Sequence, residues 1–288
     1  MVSRLTGHTL RRIALRHGYY ERAYRRRMGR FPDYSNPRTL SEKVAWMRLY
    51  DRNPLYTLLV DKIAVCDYVR ERLGEDVLIP CYGTWEKAED IDFDSLPKCF
   101  VLKCNHESGF IILCRDKDKL DKTYVRAQLA TRLRMNFYYR NYEWPYRDVK
   151  PRIMAEKLLM EENGGEAIDY KFHCFHGVPG YIFSMKDRHS PQPVHGCYSL
   201  DWDLLPFIAN AAPPTELIPR PALLGRMSEI ATVLLQGLHY SRIDLYTVQD
   251  KVYFGEITIL SSAGLLNYRP KSYDRYRGDH LTLPTRNE

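Results

Sequence analysis

Several features that mark other protein classes are missing from this chain of 288 residues. It has no run of about 18 uncharged apolar residues, so no membrane-spanning helix is predicted. The charged N-terminus lacks the apolar core of a secretory signal. The seven cysteines form no Cys-x-x-Cys pair, and we expect reduced thiols in a cytoplasmic protein. The phosphate-binding pattern Gly-x-x-x-x-Gly-Lys is also absent, which argues against a Walker-type loop.

The residues that are present indicate a globular chain that mixes helices and strands. Hydrophobic residues make up 44% and charged residues 27% of it. Thr39 and Glu42 have the spacing of a capping box and predict a helix start. Further helices are predicted over 56–73, 121–138 and 221–238. Strands are predicted within 77–85, 100–102, 110–113, 153–155, 172–175 and 181–183, with a long loop over 186–219. The mixture predicts the α+β class.

Positive charge is concentrated in an N-terminal arm, residues 1–36. Nine arginines and a single acid, Glu21, lie between Arg4 and Arg30, within a chain of net charge +7. A loose amphipathic stripe accompanies them, formed by Leu10, Ile13, Ala14, Leu15, Tyr19, Tyr20, Ala23 and Tyr24. One interpretation is a helix that meets an anionic membrane surface or acidic polymer. The other is a solvated helix whose tyrosines pack on the protein body. Nucleic acid is not the expected partner.

Two carboxylates are expected to face each other in a predicted C-terminal hairpin, residues 241–259. Residues two apart share one face of a strand, so Arg242 lies with Asp244, and Glu256 lies with Thr258. Carboxylates this close repel unless a cation lies between them, and oxygen ligands beside a phosphate favour magnesium. The guanidinium group of Arg242 can bind an anionic group such as a phosphate. Taken alone, the pattern fits an exposed face of alternating charges equally well.

Two other segments carry charged residues at strand ends. Lys103 ends an apolar strand and precedes the polar turn 104–109, and a lysine leaving a buried strand needs a partner. A turn of this kind between strands can cover nucleotide phosphates. Glu156 and Lys157 end another apolar strand, before a glycine-rich turn. Such strand-to-linker transitions form adenine slots.

The order of these segments resembles the ATP-grasp superfamily, and more closely its TupA-like family of bacterial surface-polysaccharide loci. The resemblance covers roughly residues 36 to 280. The matching phrases are Asn36-Pro37-Arg38-Thr39-Leu40-Ser41-Glu42-Lys43, Asp61-Lys62, Phe100-Val101-Leu102-Lys103-Cys104-Asn105-His106, Asp169-Tyr170-Lys171-Phe172 and Phe254-Gly255-Glu256. D-alanine–D-alanine ligase, which has the same fold, has similar elements in the same order, among them an Arg-x-Asp strand like Arg242-x-Asp244.

The resemblance implies a role for each candidate residue. Lysines and loop residues are implied to contact the phosphates of ATP, namely Lys62, Lys103, His106, Ser108 and Gly109. The adenine is bordered by Glu156, Lys157 and Leu158. Asp169 is the ribose candidate, with Glu161, Glu162 and Glu166 as alternatives. The implied ligands of two magnesium ions are Asp244, Glu256 and Thr258. Thr258 occupies the position where the family has asparagine. The implied catalytic residues that bind anions are Arg242, Lys171 and Arg188. Residues 261–264 are expected to line the acceptor pocket.

The resemblance further implies an ATP-dependent ligase that activates a carboxylate as an acyl phosphate and joins it to an amine. Expected substrates are an amino acid and a uronic acid or acidic polymer of a surface polysaccharide. Expected divisions are the arm 1–36, a helical segment 37–98, and ATP-grasp subdomains at 99–158 and 159–288. About 100 residues precede Lys103, and we expect little room there for a separate N-terminal substrate domain. The alternatives are a metal-dependent glycosyltransferase using Asp201-x-Asp203 and a non-catalytic ATP-binding scaffold.

Overall fold

The computed structural model describes residues 7–161 and 164–285, with side chains described from residue 18 onward. Its helices are α1 Gly7–Met28, α2 Leu40–Tyr50, α3 Leu55–Val60, α4 Val65–Leu73, α5 Lys122–Leu133, α6 Tyr138–Asn141, α7 Leu224–Leu235 and α8 Ser272–Asp279. Its strands are β1 Cys81–Trp85, β2 Phe100–Cys104, β3 Ile111–Cys114, β4 Ile153–Lys157, β5 Asp169–Phe175, β6 Val178–Lys186, β7 Val194–Tyr198, β8 Ile208–Ala209, β9 Tyr240–Val248, β10 Lys251–Thr258 and β11 Tyr268–Arg269. Within this part of the chain no helix has the length and apolarity needed to cross a bilayer.

The smaller of the two main sheets has four antiparallel strands in the order β1-β4-β2-β3. Helix α5 covers one face, where Val125 and Leu129 pack against Phe100 and Leu102 of β2. The apolar runs predicted at 100–102, 110–113 and 153–155 therefore form neighbouring strands. Strand β1 joins this sheet although it lies within the segment 37–98.

The larger sheet has five antiparallel strands in the order β10-β9-β5-β6-β7. One face packs on α7, through core residues such as Phe172, Ile243 and Ile230. Helices α2, α3 and α4 belong to this same core, so the helical segment 37–98 is built mainly onto the larger sheet. The predicted capping box starts α2: Thr39 Oγ1 accepts the Glu42 N–H, and the Glu42 carboxylate accepts the Thr39 N–H.

Three predicted elements differ from the structure. The helix predicted over 56–73 is divided at 61–64, where the Asp61 carboxylate accepts the N–H groups of Ile63 and Ala64 and turns the chain. The helix predicted over 121–138 ends at Leu133. The loop predicted over 186–219 contains β7, which completes the larger sheet, and β8, because tertiary pairing there outweighs the turn-rich composition.

The N-terminal arm is a helix whose final turns pack on the protein body. Tyr20 and Tyr24 are 1% and 0% exposed and contact Ala45 and Ala263. The Tyr20 hydroxyl donates to the Ala263 carbonyl at 2.5 Å. This packing agrees with the second interpretation of the arm. The stripe residues Leu10 to Leu15 lie outside the described side chains.

Candidate active site

A cavity of about 360 Å³ lies between the two main sheets. The smaller sheet contributes Val101 and Lys103, and the larger sheet contributes Asp169, Tyr246 and Glu256. This volume is within the roughly 300–1,000 Å³ of small-molecule sites. The arrangement can therefore hold a nucleotide between the sheets, and we refer to it as the nucleotide cavity.

Most of the predicted site residues line the nucleotide cavity. They are Lys62, Lys103, Ser108, Gly109, Glu156, Lys157, Leu158, Glu166, Asp169, Arg188 and Glu256. Lys171 and Arg242 line a second cavity instead. Asp244 is buried next to them, and Thr258 pairs with Arg242 across the hairpin. Glu162 lies outside the described residues.

Lys103 is held by a carboxylate of the neighbouring strand. Its Nζ lies 2.5 Å from Glu156 Oε2, and both side chains are nearly buried. Burial works to lower the pKa of Lys103, but the charge and hydrogen bond of Glu156 outweigh it and the pKa lies above its ordinary value. Lys103 is therefore a fixed cation facing the cavity. The sequence predicted that this lysine needs a partner, and in the structure that partner is Glu156.

The loop 104–109 is attached to the turn between α3 and α4. Asn105 donates to Asp61 Oδ1 at 2.8 Å, and Lys62 Nζ donates to the Glu107 carbonyl at 2.6 Å. His106 is 2% exposed, with Nε2 3.0 Å from the carbonyl of Met135. Of the residues predicted to contact ATP from this loop, Ser108 and Gly109 line the cavity. His106 does not line it and instead holds the loop through its contact with Met135.

Gly109 and Gly255 allow the backbone to border the nucleotide cavity. Gly109 has φ of +90°, a conformation that side chains disfavour. Gly255 lies at a bulge in β10, where an added Cβ would come within 2.6 Å of the Tyr246 ring. A glycine within a strand is the sequence signal for such a bulge. Tyr246, not predicted from the sequence, continues the alternation of Arg242 and Asp244 along β9.

The nucleotide cavity and the second cavity share a layer of ion pairs, which we call the ion wall: Lys62, Asp169, Lys171, Arg242, Asp244 and Glu256. Lys171 Nζ contacts Asp244 and lies 2.6 Å from Asp169 Oδ2. Arg242 forms a two-pronged contact with Asp244, at 2.6 and 2.8 Å. Glu256 lies 3.1 Å from Lys62 Nζ and 3.5 Å from Arg242 Nη2.

Strand register explains why the ion wall forms. Asp244 pairs with Glu256 on β10 and with Lys171 on β5, so the three side chains meet on one face of the larger sheet. The predicted juxtaposition of Asp244 and Glu256 is thus present. Burial raises the pKa of Asp169. Burial also works to raise the pKa of Glu256, but Lys62 and Arg242 outweigh it and hold that pKa far below its usual range.

The donor set on β9 and β10 fits magnesium that a nucleotide brings with it. Asp244, Glu256 and Thr258 supply two carboxylates and a hydroxyl, and Mg²⁺ commonly takes one or two carboxylates plus substrate phosphates. Across residues 7–161 and 164–285, no group of three or more His, Cys, Asp or Glu side chains is arranged to hold a metal by itself. Phosphate oxygens of a bound nucleotide and water would complete the coordination.

Another carboxylate of the nucleotide cavity, that of Glu166, is held by two neighbouring side chains. Glu166 lies 2.6 Å from Arg115 Nη2 and 2.7 Å from His189 Nδ1. Leu158 and Leu159 line the same cavity. A carboxylate beside apolar side chains suits a ribose next to an adenine ring. Asp169, by contrast, lies in the ion wall.

The second cavity has a volume of about 200 Å³ and lies on the other side of the ion wall. Its lining includes Ser261 and Ser262, in the segment predicted to border the acceptor. Ser262 and Ala263 have left-handed φ values of 50° and 53°. Besides Lys171 and Arg242, the remaining lining comes from His173 of β5, from β6, β7 and β8, from the residues after β8 and from Leu266, and the sequence did not indicate these for the site.

The Asp201-x-Asp203 tripeptide lies in neither of these two cavities. Both carboxylate residues are exposed in a turn, where Ser199 Oγ accepts their N–H groups at 3.2 and 3.0 Å. Trp202 between them stacks on Tyr198 at 4.3 Å. The tripeptide is a structural turn, which removes the observation that favoured a glycosyltransferase.

The family model of TupA-like ATP-grasp proteins matches residues 42–282. This chain belongs to the TupA-like ATP-grasp family. The family and the α+β ATP-grasp fold predicted from its motifs are thereby confirmed. No curated protein matches the chain in sequence.

Several solved structures are similar in fold. D-alanine–D-alanine ligase from Bacillus anthracis complexed with ATP is 20% identical, with TM-score 0.43, over 70% of this chain and 55% of that chain. The ATP-grasp ligase PsnB complexed with minimal precursor, Mg and ADP is 11% identical, with TM-score 0.40, over 77% and 58%. A RimK domain ATP-grasp protein from Sphaerobacter thermophilus is 11% identical, with TM-score 0.48, over 81% and 71%. This TupA-like chain thus spans less than two thirds of the first two.

Proposed function

We propose that this protein is an ATP-dependent carboxylate–amine ligase that works through an acyl phosphate. The observation that carries the proposal is the ion wall between two cavities, one of nucleotide size and one faced by Lys171 and Arg242. A phosphoryl group reaching the wall from one side meets an anionic substrate held on the other. The fixed charges on the wall are arranged before reaction, which is how such sites stabilise transferred charge.

The proposal assigns roles to residues of the nucleotide cavity and of the neighbouring hairpin β9–β10. Lys62 and Lys103 hold the phosphates, Leu158 borders the adenine, and Glu166 takes the ribose hydroxyls in preference to Asp169. Asp244, Glu256 and Thr258 would hold two magnesium ions, which would supply neutralising charge for the β- and γ-phosphates.

The proposed reaction has two steps. A carboxylate oxygen bonds to the γ-phosphorus while the bond from that phosphorus to the β,γ-bridging oxygen breaks, and ADP leaves with the electron pair. An amine nitrogen then bonds to the acyl carbon, phosphate leaves, and the nitrogen loses a proton to give an amide. Arg242 binds the negative oxygen that forms on the acyl carbon, and Lys171 and Arg188 bind the phosphoryl oxygens.

The proposed biological reaction attaches an amino acid to a uronic acid or acidic polymer in the synthesis of a bacterial surface polysaccharide. The test is phosphate release from ATP, measured across paired uronic acids and amino acids. Release that requires one acid and one amine, with an amide in the products, supports the proposal. ATP binding without acid-dependent release in any pair contradicts it and favours a non-catalytic ATP-binding scaffold.

We further propose that the arginines of the arm bring the protein to the inner face of the membrane. Support comes from the exposed Arg22, Arg25, Arg26 and Arg27 on the final turns of α1. The test is sedimentation with anionic vesicles of the full chain and of a variant in which Arg22, Arg25 and Arg26 are replaced by glutamine, which keeps Tyr20 and Tyr24. Equal sedimentation of both, or none at low salt, contradicts the proposal.

A further inference from the structure

The second cavity is built on one face of the larger sheet, whose character changes from strand to strand. Lys171 on β5 pairs in register with Asp244 on one side and with Phe183 on the other. Met185 of β6 pairs in turn with His195 of β7. Because residues opposite each other share a face, this face runs from charged side chains on β9 and β5 to apolar and aromatic ones on β6.

The charged end of the cavity selects an anion. Lys171 and Arg242 both line it, while no Asp or Glu is among the described residues that do so. An ammonium group in this cavity would meet two cations and no carboxylate of the lining. A carboxylate would meet two donors, one of them a guanidinium suited to planar anions.

The floor of the cavity is apolar. Tyr181, Phe183 and Met185 lie two residues apart on β6 and therefore project on the same side. The Tyr181 ring is held flat by stacking on His173, with ring centres 4.3 Å apart and planes 8° apart. This surface suits the C–H face of a ring.

The rim is polar, and helix α1 fixes part of it. Asn210 Oδ1 accepts from Arg27 Nη2 at 2.8 Å, and Asn210 Nδ2 donates to Ser262 Oγ at 3.3 Å. His195 presents a buried Nδ1 that has no hydrogen-bond partner in the described part of the chain. Ser262 can therefore meet a hydroxyl group of a ligand, and His195 adds a polar side chain to the lining.

We propose that the second cavity binds the acid substrate as a single hydroxylated ring that carries one carboxylate and no cationic group. The carboxylate lies at Lys171 and Arg242, the ring lies over the apolar floor, and hydroxyls meet the polar rim. A volume of about 200 Å³ is below the range for drug-sized ligands and suits one ring unit. The amine substrate then reaches the acyl carbon from outside this cavity. This proposal rests on the proposed ligase activity.

The test measures binding by isothermal titration calorimetry with glucuronate, glucose and glutamate as probes, in the presence of a non-hydrolysable ATP analogue. Glucose lacks the carboxylate, and glutamate carries an ammonium group. We expect glucuronate to bind at least about tenfold more tightly than either. Equal binding of glutamate, or no binding of glucuronate, overturns the proposal.

Cavity-filling variants locate the binding. Met185→Trp and the rim variant Ala211→Phe are each expected to weaken glucuronate binding at least about tenfold. The matched control is Val178→Trp, on the same strand but 59% exposed and outside the cavity. ATP affinity, titrated separately, should stay within about twofold in all three. Unchanged glucuronate binding in both filled variants overturns the assignment. A wild-type protein that binds glucuronate but not ATP instead contradicts the ligase proposal.

Discussion

The two cavities on either side of the ion wall differ in the charges that face them. The nucleotide cavity mixes cations such as Lys62 and Lys103 with carboxylates such as Glu156 and Glu256, whereas the described lining of the second cavity has cations alone among its charged groups. Carboxylates on the nucleotide side can share a metal with phosphates. On the other side they would repel an acid substrate. The proposed function requires this difference, because in it a nucleotide phosphate and an acid substrate meet at the ion wall.

Breaking the ion wall should give the largest effect, because both cavities depend on it. We expect Glu256→Gln to abolish ATP turnover and to lower the melting temperature, because the lost carboxylate pairs with Lys62 and Arg242 in the fold. Asp244→Asn should also abolish turnover and destabilise the fold by up to about 3–5 kcal/mol, because it removes the carboxylate that both Lys171 and Arg242 contact and leaves them only Asp169 and Glu256. Phosphate release and thermal unfolding measure the two effects.

A surface ion pair provides the control for these variants. Glu86 pairs with Lys150, and both side chains are more than half exposed. Glu86→Gln should change neither turnover nor stability measurably, because water and salt screen the charges of an exposed pair. Full turnover in Glu256→Gln would contradict the metal assignment.

The next largest effect should come from the helix that supports the second cavity. Tyr20→Ala removes a fully buried ring and the donor to the Ala263 carbonyl, so we expect a loss of about 3–5 kcal/mol in the free energy of unfolding. Tyr19→Ala is the matched control, because Tyr19 is 55% exposed. Denaturant unfolding measures both. Equal losses would show that the arm does not belong to the core.

The nucleotide cavity could be predicted from the sequence better than the second cavity, for a physical reason. Lys103, Glu156 and Glu256 lie at strand ends or on a hairpin, where strand alternation places their side chains. The second cavity depends on the register of β6 and β7 and on Asn210, which Arg27 contacts from 183 residues away. No local pattern encodes such contacts. The turn-rich composition of 186–219 concealed β7 altogether.

A change in the nucleotide cavity alone should give an intermediate effect. Lys103→Ala is expected to weaken ATP and ADP binding by about 1.5–3 kcal/mol, because both nucleotides keep the phosphates it contacts. Glucuronate binding to the second cavity should not change. Lys98→Ala, an exposed lysine before the same strand, is the control. If titration shows unchanged ATP affinity while stability falls, the Lys103–Glu156 pair is structural only.

The smallest effect concerns Glu143, which lies in neither of the two cavities and follows helix α6. Burial raises the pKa of Glu143 to about 7, although Asn141 and the charges of Arg48, Arg140 and Arg242 oppose the shift. The folded protein therefore holds a proton that the unfolded chain releases near pH 4.5. Stability from this group is present below pH 4.5 and is lost as the pH rises through about 7.

Glu143→Gln should remove this pH dependence. At pH 8 we expect the variant to be more stable than wild type, because glutamine avoids the cost of keeping Glu143 protonated, or of ionising it within the fold, above its raised pKa. At pH 4.5 the two proteins should unfold alike. Urea unfolding at both pH values measures the difference. A variant that is less stable at pH 8 would show that Glu143 is ionised in the fold and paired with the nearby arginines. Its carboxylate would then extend the charge network of the ion wall beyond Arg242.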